Sequence, residues 1–239
     1  MHTVLLLRHG ESTWNTENRV QGWAPTPLTE RGVEQATAAG RLLAAEYDVD
    51  RVVASDLRRT KETTVHALHA AGWDHDPTFD RAWRERSMGQ LQGLTVEEAY
   101  GGHPEYSLLH SGIHGARATP PGGESFLEMR RRVLEGWAAL TGRHDEGTTL
   151  VVSHGGPIFA LLAHVQDRDF LSTLGEGWAT NGSVAELRVD GDGAEVVRTN
   201  LRPDEVAADG GGTGDGDGGA DTSDEDADQS TEDRMRGER

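Results

Sequence analysis

Apolar positions fall into two distinct spacings along this chain. Residues 3–7 (TVLLL), 51–55 (RVVAS) and 148–153 (TTLVVS) are short, nearly continuous apolar runs ended by polar residues, and they predict buried strands. Between them the spacing becomes helical. A helix is predicted from about 29 to 46, with Thr29 as N-cap, Leu28 stapling onto Val33, and Leu42 and Leu43 continuing its apolar face. Ser55 is placed to cap a second helix from Asp56 to about Ala70. Ser125 and Glu128 form a capping box, and Phe126, Met129, Val133, Trp137 and Leu140 follow at helical spacing. After His154, Gly155 and Gly156, Pro157 sits where a first helical residue belongs, and a helix through about Val165 fits. Residues 183–189 (SVAELRV) and 194–200 (AEVVRTN) read as a closing hairpin. Residues 120–124 (PPGGE) read as a turn, and 101–123 as a loop-rich segment that covers a pocket.

The alternation of strands and helices predicts a three-layer α/β/α sandwich with a mostly parallel central sheet. Such sheets bind ligands beyond the carboxyl ends of their strands. Arg8 and His9, Ser55, and His154 all fall at or just beyond an apolar run.

Composition narrows the function classes. The chain has 239 residues, no cysteine, and a formal charge of −18. Without cysteine there are no disulfides, thiolate metal sites or cysteine nucleophiles. The charge argues against nucleic acid as a partner. No run approaches the ~20 apolar residues of a membrane span, and nothing near the N-terminus reads as a signal peptide, so the expectation is a cytoplasmic enzyme with no membrane partner.

About −10 of the charge comes from residues 203–239, where 13 acidic residues face three arginines. That stretch is rich in Gly, Asp, Ser and Thr with almost nothing apolar, and it reads as an acidic disordered tail behind a folded domain of 1–202. Lys61 is the only lysine. An acidic body almost without lysine fits a halophile's high-salt cytosol; GC-rich coding accounts for the same bias.

Cleaving a phosphate monoester needs an in-line nucleophile, cations around the phosphoryl oxygens and an acid for the leaving group. Imidazole can serve as the nucleophile, and the planar fork of arginine binds phosphate oxygens bidentately. Arg8 beside His9 at a strand end is therefore a plausible phosphoryl site. His110 and His114 have a helical metal-ligand spacing but no clear carboxylate partner, so no metal and no cofactor are expected.

Residues 5–15 (LLLRHGESTWN) resemble the signature of the histidine phosphatase superfamily, the phosphoglycerate mutase-like family. Residues 21–36 (QGWAPTPLTERGVEQA), 55–63 (SDLRRTKET), 83–93 (WRERSMGQLQG), 121–125 (PGGES), 151–156 (VVSHGG) and 181–187 (NGSVAEL) follow in that family's order. The resemblance covers about 1–200. It implies that His9 becomes phosphorylated and that Arg8 and Arg59 hold the phosphoryl oxygens. His154 would stabilise the transferring group, and Glu85 would protonate the leaving oxygen and then activate water. Asn15 would line the site, and Gly22 and Gly155 would bring backbone close to the ligand. Trp83, Trp178 and the covering segment would shape the leaving-group pocket.

The resemblance implies an enzyme of the histidine acid phosphatase type acting on small phosphorylated metabolites, with a homodimer an open option. A cofactor-dependent phosphoglycerate mutase is the alternative. Against it, only about thirty residues separate Gly93 from Gly122. Mutases of this family carry a longer insertion there, with paired arginines, where this chain offers only Arg117. A binding module without catalysis is disfavoured because Arg8, His9, Arg59, Glu85 and His154 are all present.

Overall fold

The computed structural model describes residues 1–174, 179–191 and 193–203. The predicted tail, apart from Pro203, and Trp178 lie outside the described residues. Strands β1 (His2–Arg8), β2 (Arg51–Ala54), β3 (Thr78–Phe79), β4 (Gly147–Ser153), β5 (Val184–Asp190) and β6 (Gly193–Leu201) form one sheet in the order β3-β2-β4-β1-β5-β6. The pairs β3–β2, β2–β4 and β4–β1 are parallel; β1–β5 and β5–β6 are antiparallel. The parallel half carries the strand ends singled out above, and the closing hairpin supplies the antiparallel edge.

The central runs are apolar throughout because they are covered on both faces. Leu5 and Leu7 of β1 and Leu150 and Val152 of β4 pack with Ala39, Leu43, Ala67 and Leu68. Those four belong to α2 (Glu30–Glu46) and α3 (Arg58–Ala71). Val4, Leu6 and Val151 face the other way, onto α6 (Phe126–Arg143) and α7 (Gly155–Val165). A one-residue alternation thus divides a continuous apolar run between two cores.

Local signals set the helix starts. The Thr29 hydroxyl accepts the Gly32 N–H at 3.1 Å, and Glu128 and Ser125 exchange the two bonds of a capping box. Two starts differ from expectation. The second helix begins at Arg58 after a Leu57 cap, because the Ser55 hydroxyl is engaged by His154 across the sheet. The last helix begins at Gly155, so Pro157 occupies its third position; an N–H there has no helical partner either.

Residues 101–123 are more ordered than their Gly, Pro and His content suggests. After α1 (Thr13–Thr16), α4 (Val96–Gly102) and α5 (Leu108–Arg117) form a cover, with Gly112 at φ 51° kinking α5. Beneath it Val20, Met88, Leu91 and Ala99 make a small separate core. Among the described residues no helix is long and apolar enough to cross a membrane.

Candidate active site

Beyond the carboxyl ends of β1 and β4 opens a cavity of about 740 Å³. Arg8, His9, Arg59 and Glu85 line it, as do Gly22 and Gly155. His9 is the first residue past β1, its N–H bonded to the Ser153 carbonyl of the neighbouring strand. The loop behind it is fixed by a close backbone approach. A Cβ on Gly10 would lie 2.2 Å from the Gly32 carbonyl oxygen, so only glycine lets this turn dock against α2.

The His9 ring has a defined tautomer. Nδ1–H donates to the Gly10 carbonyl at 2.7 Å, and Nε2 accepts from Arg59 Nε at 3.2 Å. Arg59 is 1% exposed. Its other nitrogens hold the Gly22 carbonyl at 2.9 Å and the Ala24 carbonyl at 3.3 Å, which ties the loop at the cavity edge to α3. Gly22 itself sits at φ +49°, a conformation that side chains disfavour. Arg8, partly buried, donates Nη1–H to the Ala179 carbonyl, while its Nε has no partner among the described residues.

His154 caps α7 and lies fully buried beside His9, ring centroids 5.1 Å apart. The Ser55 hydroxyl meets its Nε2 at 2.8 Å, and its Nδ1 has no partner among the described residues. Buried polar atoms without partners are rare. Here two of them, on Arg8 and His154, belong to side chains gathered around His9.

Burial, reinforced by the charges of Arg59 and Arg8, holds His9 well below the usual imidazole range, although its Gly10 bond opposes the shift. Burial does the same to His154, followed by the effects of Arg59 and His9. Burial also lowers Arg59 to about 10, against a raising influence from Glu85. Both rings are therefore neutral near pH 7.

The sign for stability follows. Below the unfolded histidine value of about 6.5 the unfolded chain takes up protons that the folded rings do not. Stability is then lost as pH falls, by about 1.4 kcal/mol per pH unit for each ring until its folded value is reached. Urea unfolding at about pH 7 and about pH 5.5, above the range where carboxylates titrate, checks this. An unchanged midpoint would contradict it.

Glu85 follows the turn that leaves β3. Its Oε1 accepts the Arg86 N–H at 2.8 Å and its Oε2 the Gly156 N–H at 3.2 Å, at the start of α7. The Trp23 indole N–H donates to the Glu85 carbonyl at 2.7 Å, and Arg132 Nη2 does so at 3.3 Å. The flanking arginines are engaged elsewhere: Arg84 Nη2 binds Asp56 at 2.6 Å, and Arg86 is spent on the carbonyls of Glu124, Tyr106 and Ala118. That last set anchors the cover to the cavity wall.

Other expectations fare differently. Asn15 stands apart from the cavity lining: its Oδ1 accepts the Ser12 N–H at 3.0 Å, so it shapes the loop behind His9. Trp83 is 2% exposed in the core and does not line the cavity; a flat ring after an edge strand is buried more favourably against α6. Arg117 is exposed and outside the lining. Among the described residues no group of His, Asp or Glu is arranged to hold a metal. The roles of Gly156, Ser55 and Arg132 were not legible beforehand; the second glycine of the 151–156 motif is the one signal that pointed to Gly156.

An α/β/α sandwich with two buried histidines and two arginines at its strand ends offers donors and charges that suit a phosphoryl group. The family model of the histidine phosphatase superfamily (branch 1) matches residues 4–202, and the chain belongs to that superfamily. It is 37% identical over 163 residues to a 2,3-bisphosphoglycerate-dependent phosphoglycerate mutase of Methylobacterium radiotolerans, covering 66% of this chain and 76% of that protein. It is 34% identical over 165 residues to a metal-independent phosphoserine phosphatase of Arabidopsis thaliana, covering 68% of each. Among solved structures, Bacillus stearothermophilus YhfR superposes with a TM-score of 0.74 at 29% identity, over 84% of this chain and 98% of that one. A mycobacterial glucosyl-3-phosphoglycerate phosphatase with VO3 gives 0.72 at 27%, over 84% and 100%.

Proposed function

We propose that this chain is a phosphatase that hydrolyses phosphate monoesters of small metabolites through a phosphohistidine on His9. The observation that carries the reading is the His9 tautomer. With Nδ1–H committed to the Gly10 carbonyl, the lone pair sits on Nε2, where it accepts Arg59 Nε–H and would pass to phosphorus once an ester occupies the cavity that His9 lines. In the first step Nε2 attacks phosphorus, the ester P–O bond breaks, and Glu85 gives its proton to the leaving alkoxide oxygen. Glu85, now a carboxylate, takes a proton from water as that water attacks phosphorus. The P–N bond breaks and inorganic phosphate leaves. Arg8, Arg59 and the Nδ1 of His154 would hold the oxygens of the transferring group, two fixed cations against its charge.

Hydrolysis is favoured over return of the phosphoryl group to a sugar acid by the short cover and by the position of Arg117 outside the cavity. Relatives bear both names, so the test must separate them. Wild-type protein is assayed with p-nitrophenyl phosphate, phosphoserine and 3-phosphoglycerate plus its bisphosphate. Free phosphate as the main product supports the reading; isomerisation with little phosphate release replaces it with a mutase.

Two substitutions probe Glu85. Glu85→Gln cannot supply a proton, so kcat/KM for alkyl phosphates, which reports the steps through leaving-group departure and not the later attack of water, is expected to fall about 10³-fold, while kcat/KM for p-nitrophenyl phosphate, whose leaving group needs little help, falls far less. Equal losses on both would argue against the acid role. In Gly156→Ala the new Cβ would lie 2.3 Å from Glu85 Oε1, which must move. The expected outcome is a loss of about 10–100-fold in kcat, with stability within about 1 kcal/mol of wild type by thermal unfolding.

A further inference from the structure

We infer that the alcohol half of the preferred substrate is an uncharged, apolar group, so that alkyl or aryl phosphate monoesters are better substrates than phosphorylated acids. This rests on the phosphatase reading and adds the leaving-group class to it. The cavity of about 740 Å³ far exceeds a phosphoryl group, and its lining is more apolar than polar. Val20, Met88, Val96, Tyr100, Leu108 and Leu109 supply apolar surface to its lining, beside the neutral polar Asn18, Gln21 and Ser107. Val96 and Leu109 keep 38% and 71% of their surface exposed and belong to the same lining, so this group of apolar side chains is contiguous with solvent through the cavity.

The charges point the same way. A second anionic group, such as a carboxylate, needs a cation to replace its water. Beyond Arg8, His9 and Arg59, the described lining offers Arg19, Arg86 and His110, each already bonded within the protein. Arg86 holds three backbone carbonyls. Arg19 binds Glu17 at 2.7 Å and the Gly93 carbonyl at 2.6 Å. His110 Nδ1 meets the Ser107 hydroxyl at 2.9 Å. The exposed Glu97 also lines the cavity and would repel a carboxylate. An alkyl or aryl group meets none of these penalties and gains the apolar walls.

The experiment is a kcat/KM series on the full chain with methyl, butyl and hexyl phosphate, whose leaving alcohols differ little in basicity, beside phosphoserine and 3-phosphoglycerate. A rise of about tenfold or more from methyl to hexyl is expected, with both acids below hexyl phosphate. Val96→Lys, at a half-exposed position on α4, should shift the ratio of 3-phosphoglycerate to hexyl phosphate about tenfold toward the acid. A flat alkyl series, an acid at or above hexyl phosphate, or an unchanged ratio in Val96→Lys overturns the inference, while phosphate release that depends on His9 keeps the phosphatase reading. No phosphate release from any ester overturns both.

Discussion

His9→Ala is expected to lower phosphate release by about 10⁵-fold or more, the scale reached when the nucleophile of a covalent mechanism is removed. His154, with its ring centroid 5.1 Å away, is fully buried and its Nε2 is held by the Ser55 hydroxyl, so it is placed to support the transferring group and not to replace His9. The variant should still fold, since the imidazole contributes two polar contacts and not the apolar packing of either core. It should also lose less stability between about pH 7 and about pH 5.5 than wild type does, because one of the buried rings that resist protonation is gone. Phosphate release by stopped assay, with urea unfolding as the control for folding, checks both halves. Substantial activity in a folded His9→Ala protein would remove the proposed mechanism.

Arg59→Lys is the second large effect, although it keeps the formal charge. A lysine has no fork. It cannot hold the Gly22 and Ala24 carbonyls and still present two N–H groups to a phosphoryl oxygen pair. A loss of about 10²–10³-fold in kcat is expected. The leftover carbonyls should reduce stability by about 1–3 kcal/mol. Burial brings the Arg59 guanidinium down to about 10. The same burial would pull a lysine, ordinarily near 10.4, further down toward neutral pH than it pulls the guanidinium. The deficit of Arg59→Lys should therefore deepen as pH rises from about 7 to about 9, while wild type keeps its charge. Parallel pH profiles for the two proteins would contradict the placement of this cation at the buried floor of the site.

Much of this architecture is local, which is why it can be read from residues. The Leu5–Leu7 run is apolar at every position because β1 is covered on both faces, and the polar residue that ends it is where the sheet meets solvent and ligand. Thr29 and the Ser125–Glu128 pair mark helix starts because capping involves residues three apart. What escaped depends on contacts across the fold. Ser55 is a sound N-cap by composition, yet its hydroxyl serves His154, 99 residues away in sequence. The carbonyl that orients His9 belongs to the next residue but accepts only because the turn bends back, a bend allowed by the fit of Gly10 against Gly32. The cover was read as loop because its glycines and histidines are weak helix formers. It is ordered by Arg86, whose three carbonyl bonds span residues that no spacing rule links.

The most direct test of the account is to trap the intermediate. Wild-type protein is mixed with a substrate ester, quenched within one turnover in base, and digested for mass spectrometry. The account predicts one phosphoryl group per chain on the His9 peptide, labile to acid, and none in His9→Ala. Phosphate released from substrate at full rate with no label on His9, or with label on another residue, would contradict it.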